Sequence, residues 1–434
     1  MLGVILVYVA FTVVFSFLLL RKVLVKKRLT AFDFFTVGVL MYYLVPLPVT
    51  FFLNEEKLGY RASYETLVGT MLIVIISYLI AFIAYKASVK WKLLYAWEIK
   101  LPVMFKTLII LVSSGIFMYV LWIYATKVDI SNLEHNMQLR DLLFDLGPYA
   151  VLLQIPTGLA LYFTYQAVRH KRNIFPAIFF MVVALMTSFI RGERTDLVFI
   201  ALFPFLARYF VQKSSKPFVT GTVVILVILT LYSQNFKVTH VNEKSSLSET
   251  MVEVLSTDFD RNWVTWAAVD NTEFTHSKLL PYPGSGYVYT ALAYVPRSIA
   301  PFKGYSAPTW FTWNISPTLG YRIVGTHDVG AMKSAYAFGY QVESILNFGY
   351  PGLLVVSVLV GLLIRFLQNL INRYNVLFPI IAIMCMQFSA LTTFTLMTIH
   401  LPILVTAAVM YMSIKKQVKN TAPTLYPLPQ LTVK

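Results

Sequence analysis

Residues 186–199, MTSFIRGERTDLVF, set Arg191, Glu193 and Arg194 between two long apolar runs. Arginine at bilayer depth is expensive and usually marks a function. Its guanidinium is a planar fork that grips phosphate oxygens in pairs, so phosphate binding is the chemistry on offer. Arg191 and Arg194 share one face if a helix runs through them. Gly192 lets the backbone turn or approach a ligand, and Glu193 and Asp196 can hold the guanidiniums in place. The plainer reading of the same residues is an exposed turn in which Glu193 neutralises Arg194.

More cations follow on one long segment. Arg297 comes directly after Pro296 in YVPRSIAPFKG, where the proline ring holds the backbone still, and Lys303 lies beyond it. Arg261, beside Trp263, and Arg322 complete the set. Snorkelling at the membrane interface is the ordinary alternative for Arg297, and a plain interfacial helix position for Arg261. His327-Asp328 is a candidate proton-transfer pair or a surface loop. Glu343, in GYQVESILNFGYPG, is the acid closest to the apolar run that follows; buried there, it becomes a general base, an ion-pair partner or a helix-dipole partner. Tyr282, Tyr287 and Trp310 offer flat faces for sugar rings, although interfacial packing is the commoner use of such side chains.

Other chemistries lack their signatures. No Gly-rich phosphate loop precedes a helix, the six His are scattered, and no nucleophile elbow is present. Asp258 and Asp260 in DFDRN resemble the Asp-x-Asp of metal-dependent sugar transferases, but a solvated helix face explains them equally. No metal and no cofactor are expected. The lone Cys385 sits in an apolar run and forms no intramolecular disulfide.

These residues must be positioned by membrane helices. The chain has 434 residues, 58% hydrophobic and 13% charged, against roughly 25% charged in soluble domains. An apolar run of roughly 20 residues spans a bilayer. About eleven candidates lie near 1–20, 31–53, 67–86, 103–125, 147–168, 174–190, 195–211, 218–233, 350–367, 376–394 and 397–413. The pair flanking Arg191–Arg194 also fits one reentrant hairpin. The first run is read as a retained span, because basic residues follow it and no small-residue cleavage site appears. The expected class is an all-α polytopic membrane protein. Residues 1–233 carry helices 1–8, 234–349 form a large external loop, 350–413 carry helices 9–11, and 414–434 form a cytoplasmic tail.

Charge sets the orientation. RKVLVKKR, KASVKWK, RHKR, RYFVQKSSK and KKQVK alternate onto one side, where Asp33 and Glu98 are the only acids. The positive-inside rule puts that side in the cytoplasm and the N-terminus outside. The net charge of +16 is therefore a topology signal rather than a nucleic-acid footprint. Residues 247–269 read as an amphipathic helix opened by a Ser246/Glu249 capping box. Trp263, Trp266, Trp310 and Trp313 are expected to lay the loop on the bilayer. Pro46, Pro48, Pro156 and Pro402 are expected to kink helices around a cavity.

Taken in order, RGERTD between two spans, VPRSIAPFKG in the loop and ESILNFGYPGLLVVSVLVGLLI closing it resemble the bacterial oligosaccharide repeat-unit polymerases of O-antigen and enterobacterial common antigen. The resemblance covers about residues 180–370; the first half matches in hydropathy only. It implies a GT-C-like glycosyltransferase of the cytoplasmic (inner) membrane that joins undecaprenyl-pyrophosphate-linked oligosaccharides at the outer face. Donor and acceptor are both lipid-linked, undecaprenyl pyrophosphate leaves, membrane lipid surrounds the site, and a chain-length regulator is a possible partner; no nucleic acid takes part. The family's loop arginines carry over to Arg194 and Arg297, with Arg191, Arg261, Arg322 and Lys303 in support. Glu343 is the first choice of base and His327 the second. Two rivals share much of this pattern. An O-antigen ligase differs in its acceptor, and a flippase would show internal repeats and a charged midplane cavity. A membrane acyltransferase would carry a His within a span, and His400 is read as lying at a turn beside Pro402.

Overall fold

The structure, a computed structural model, describes residues 2–26, 29–48, 63–88, 101–126, 147–190, 194–212, 260–296, 298–315 and 336–412, with scattered positions between 214 and 224. Apolar runs become helices because lipid offers the backbone no hydrogen-bond partner, so each run must satisfy its own. The helices are α1 (Leu2–Arg21), α2 (Ala31–Val39, continued by a π-turn over Leu40–Leu44), α3 (Tyr64–Ala87), α4 (Val103–Thr126), α5 (Ile155–His170), α6 (Ile174–Ile190) and α7 (Arg194–Gln212). In the segment read as a loop lie α8 (Asn262–Asp270), α9 (Ser285–Ala291) and α10 (Ala307–Ile315). Then come α11 (Tyr340–Arg373), α12 (Phe378–Gln387) and α13 (Thr393–Met412). Among the described residues there is no strand, only an isolated bridge between Thr272 and Ser277.

Among the described residues, six segments are long and apolar enough to cross a membrane: Tyr8–Val25, Ala31–Pro48, Glu65–Ala87, Val103–Thr126, Tyr340–Arg373 and Thr393–Met412. The chain is a multi-pass membrane protein, all-helical among the described residues. Helices α6, α7 and α12 hold shorter apolar stretches, and most of 218–233 lies outside the described residues. The described helices therefore supply six full spans where the sequence suggested about eleven.

Burial sorts the helices. The Ala31–Pro48 segment is 78% buried and Tyr8–Val25 only 17%, so α2 is the central post and α1 a lipid-facing one. Thr30 starts α2 with a complete capping box, its side chain taking the Asp33 N–H while Asp33 takes the Thr30 N–H at 2.8 Å. Helix α11 packs along α3, α12 against α2, α13 against α5, and α5 against α6 and α7. Gly361 lets α11 approach α3 closely; a Cβ there would stand 2.3 Å from the Ala81 carbonyl oxygen. Small residues at such crossings replace the hydrophobic drive that lipid removes.

The main irregularity is in α11. Phe348 (φ −141°, ψ 16°) and Gly349 (φ 63°, ψ −156°) leave helical geometry, and Pro351 follows. α11 is thus two helical segments joined at a kink, and the expected boundary at 349/350 falls at that kink. Of the expected kinks, Pro156 begins α5 after a 3-10 turn over Gly147–Gln154, and Pro402 lies within α13. His400 also lies inside α13, buried, with Nε2 bonded to Gln387 Oε1. The expected turn at His400 is corrected: Pro402 does not end the helix.

Helices α8–α10 form a cap with its own core of Trp263, Trp266, Phe311, Phe338 and Val342. Trp263 and Trp266 are therefore not interfacial anchors; their rings fill the space between α8 and its neighbours. Of the helix expected over 247–269, Asp260 and Arg261 are non-helical and α8 begins at Asn262, while 247–259 lies outside the described residues. Asp260 is fully buried, and its carboxylate takes the Asn262 N–H and Nδ2, each at 2.8 Å, so it is not a solvated face. Gly349→Ala tests the break. Its Cβ would stand 2.2 Å from the Phe274 carbonyl oxygen, at a φ that only glycine adopts freely. We expect a loss of about 1–3 kcal/mol, seen as a lower melting temperature in detergent; an unchanged midpoint would contradict this account.

Candidate functional site

The site grows from the break in α11. Before it, Glu343 is buried, with 1% of its surface exposed. A buried carboxylate needs donors, and Thr393 supplies two to Oε2: its backbone N–H at 2.8 Å and its hydroxyl at 2.7 Å. Thr393 is the first residue of α13. Its N–H is one of the donors that a helix start leaves unpaired, and the helix dipole favours an anion there. One carboxylate thus ties the start of α11 to the start of α13. The backbones meet as well: Tyr340 N–H donates to the Phe388 carbonyl at 3.1 Å, and a Cβ at Gly339 would stand 2.4 Å from the Ser389 carbonyl.

One turn on, Asn347 latches the cap to the break. Its Nδ2 donates to the Glu343 carbonyl at 2.7 Å. Its Oδ1 accepts from the Gly286 N–H at 2.8 Å and the Tyr287 N–H at 3.4 Å, while its own carbonyl takes the Gly284 N–H at 2.9 Å. This fixes α9 and lays the Tyr287 ring parallel to Phe348, centroids 5.7 Å apart. The Tyr287 hydroxyl is buried and has no hydrogen-bond partner among the described residues. Burial, followed by the negative charge of Glu343, pushes that phenol well above its usual range, so it keeps its proton.

Below this cluster lies an apolar groove of about 670 Å³ between α11, α12 and α13. It follows α11 from Phe348 to Leu363, about 22 Å at the helical rise. Met384, Met397 and Leu401 form the facing wall. Val355 and Leu359 line the groove yet are 60% and 56% exposed, so it opens sideways toward lipid. Among the described residues its polar lining is Tyr287, Tyr340 and Thr393. Glu343 does not line the groove; it stands behind Thr393. His400 is also absent from the lining.

The structure places the other candidates unevenly. Arg191, Arg297, Arg322 and His327 lie outside the described residues. Arg194 is the first residue of α7, four residues past the end of α6, and its side chain lies outside the described set. Arg261 caps α8, with its guanidinium over the Tyr42 ring at 5.5 Å and Nη1 donating to the Asp260 carbonyl at 3.3 Å. Near this corner Asn262 Nδ2 donates to the Tyr43 carbonyl at 3.0 Å, and Tyr43 OH donates to Gln341 at 3.4 Å. Lys303 is buried, and its ammonium donates to the Leu292 and Val295 carbonyls beyond α9 and faces the Tyr289 ring, so its place is structural. Tyr282 is exposed, and Trp310 packs edge-on to Tyr305. Among the described residues no cluster of His, Cys, Asp and Glu could hold a metal ion.

Thr393 and Asn347 carried no signal strong enough to be singled out. Asn347 lies four residues after Glu343, one helical turn, and TTFT ahead of an apolar run is a helix-start pattern. Comparison with protein-family models, with curated proteins and with solved structures gives no match for this chain.

Asn347→Ala tests the latch. It leaves the Gly286 N–H buried without its acceptor, which costs about 1–3 kcal/mol. Limited proteolysis should then cut 282–300 faster than in the parent protein; equal cutting rates would show that Asn347 does not hold α9.

Proposed function

We propose that this chain is a polymerase of lipid-linked oligosaccharide repeat units, acting at the outer face of the cytoplasmic membrane. The observation that carries the reading is the laterally open apolar groove headed by Thr393 and Tyr287, with the Glu343 carboxylate behind them. A polyprenyl tail needs a slot that it can enter from the bilayer, and transfer to a hydroxyl needs a proton acceptor at the slot's polar end.

In this mechanism the growing glycan on undecaprenyl pyrophosphate is the donor, and a single repeat unit on a second carrier is the acceptor. The acceptor hydroxyl attacks the anomeric carbon, its proton passes toward Glu343, and undecaprenyl pyrophosphate leaves. Negative charge grows on the pyrophosphate, and preorganised cations are the usual remedy. Arg194 is the leading candidate. It stands at the start of α7, where the helix dipole also favours a phosphate. Arg297, Arg191, Arg261 and Arg322 are the supporting cations. Tyr282 and Trp310 are candidates to stack on the sugars. The cytoplasmic basic loops, the external N-terminus, the remaining short spans and the GT-C-like arrangement belong to the same proposal.

Purified protein in liposomes, given only undecaprenyl-pyrophosphate-linked repeat units, is expected to lengthen them in the presence of a chelator. Arg194→Ala should lower the rate about 10²–10³-fold, the usual effect of removing one charge-stabilising donor, with the melting temperature unchanged. Arg194→Lys should recover little, because bidentate geometry is lost. Parent-like activity in the Ala variant would overturn the role of Arg194.

A further inference from the structure

Glu343 stands behind the groove wall, and Thr393 stands between it and the groove. The Thr393 hydroxyl points its proton at Glu343 Oε2 at 2.7 Å, which leaves the oxygen's lone pairs for another donor. Its backbone N–H holds the same carboxylate oxygen at 2.8 Å, so the carboxylate stays aligned whatever the hydroxyl does. Across the groove head, the Tyr287 hydroxyl is buried and has no hydrogen-bond partner among the described residues. A buried donor without an acceptor costs about 1–3 kcal/mol. The Asn347 latch nevertheless holds this one in place. The groove head thus offers one unused donor and one hydroxyl backed by a carboxylate, surrounded by apolar walls.

We infer that Thr393 and Tyr287 form a sugar-hydroxyl site in which Thr393 relays the acceptor's proton to Glu343 and Tyr287 donates to a neighbouring oxygen of the same sugar. This rests on the polymerase reading above and specifies which groups touch the acceptor. The acceptor O–H proton moves to Thr393 Oγ1 as the Thr393 proton moves to Glu343 Oε2. The freed electron pair on the acceptor oxygen forms the bond to the anomeric carbon. The bond from that carbon to the pyrophosphate oxygen breaks, and its electrons leave with the pyrophosphate. Thr393 ends as it began, and Glu343 holds one proton until water removes it. The unused donor and the carboxylate-backed hydroxyl suit a neutral, polyhydroxylated group.

Four proteins separate the possibilities in the liposome assay: the parent, Thr393→Ser, Thr393→Val and Tyr287→Phe. The parent should lengthen lipid-linked units; if it does not, the polymerase reading fails and this inference with it. Thr393→Ser keeps the hydroxyl and should stay within about threefold of the parent. Thr393→Val keeps the shape and the backbone N–H; its kcat should fall at least tenfold with KM little changed, and the acidic limb of its pH–rate profile should flatten. Tyr287→Phe should raise KM for the acceptor severalfold with kcat less affected. An active parent with a fully active Thr393→Val overturns the relay while the polymerase reading stands. Should Thr393→Val not fold, Tyr287→Phe decides, since the ring stacking on Phe348 survives that change: an unaltered acceptor KM overturns the sugar-hydroxyl site.

Discussion

A carboxylate shut away from water between two helices must find donors or give up its charge. Glu343 finds both of its donors on Thr393, fifty positions further along the chain, and the upper half of the molecule is arranged around that contact. It sets the start of α13 against the start of α11. The Phe388–Ser389 backbone closes the same junction, and Asn347 carries it one turn further to hold α9. Removing either partner would do more than delete one hydrogen bond. A lone buried carboxylate or an uncapped helix start would remain, and the groove head would lose its shape.

The break at Phe348–Gly349 follows from the same demand. A straight α11 could not both stand against α3 along its length and place Glu343 beneath the cap. Non-helical backbone at such depth persists only where it is buried in protein or lines a cavity, and here it does both. Phe348 walls the groove and stacks on Tyr287, while Gly349 fits against the Phe274 backbone. The segment after the break then runs along the groove with Val355 and Leu359 open to lipid. Fold and proposed chemistry meet in this division: an apolar, laterally accessible half for a tail, and a polar, buried half for a hydroxyl.

Six of the spans were legible because some twenty apolar residues in a row have few other options. Glu343 was legible for a related reason, as the acid closest to an apolar run. Its partner was not, since Thr393 lies in a run read as two spans, 376–394 and 397–413, and nothing local marks a contact across fifty residues. The tryptophans misled in the opposite direction. Trp263 and Trp266 have the composition of an interface belt, but α8 turns them into a core with Phe311 and Phe338. Lys303 looked like a phosphate ligand by charge alone, yet the carbonyls beyond α9 occupy its ammonium. Asp260 resembled half of a metal motif, yet it is buried and its carboxylate is taken up by Asn262. In each case the residue type was read correctly, and the partner chosen in three dimensions decided its use.

The most direct test of the groove is to ask what enters it. A polyprenyl pyrophosphate carrying a diazirine in its tail, photolysed with the protein in liposomes, should label groove residues such as Val355, Leu359, Met384 and Met397. Unlabelled polyprenyl pyrophosphate should compete that labelling away, and ordinary phospholipid should not. Labelling confined to the outer faces of α1 and α4, or groove labelling that phospholipid removes equally well, would contradict the account.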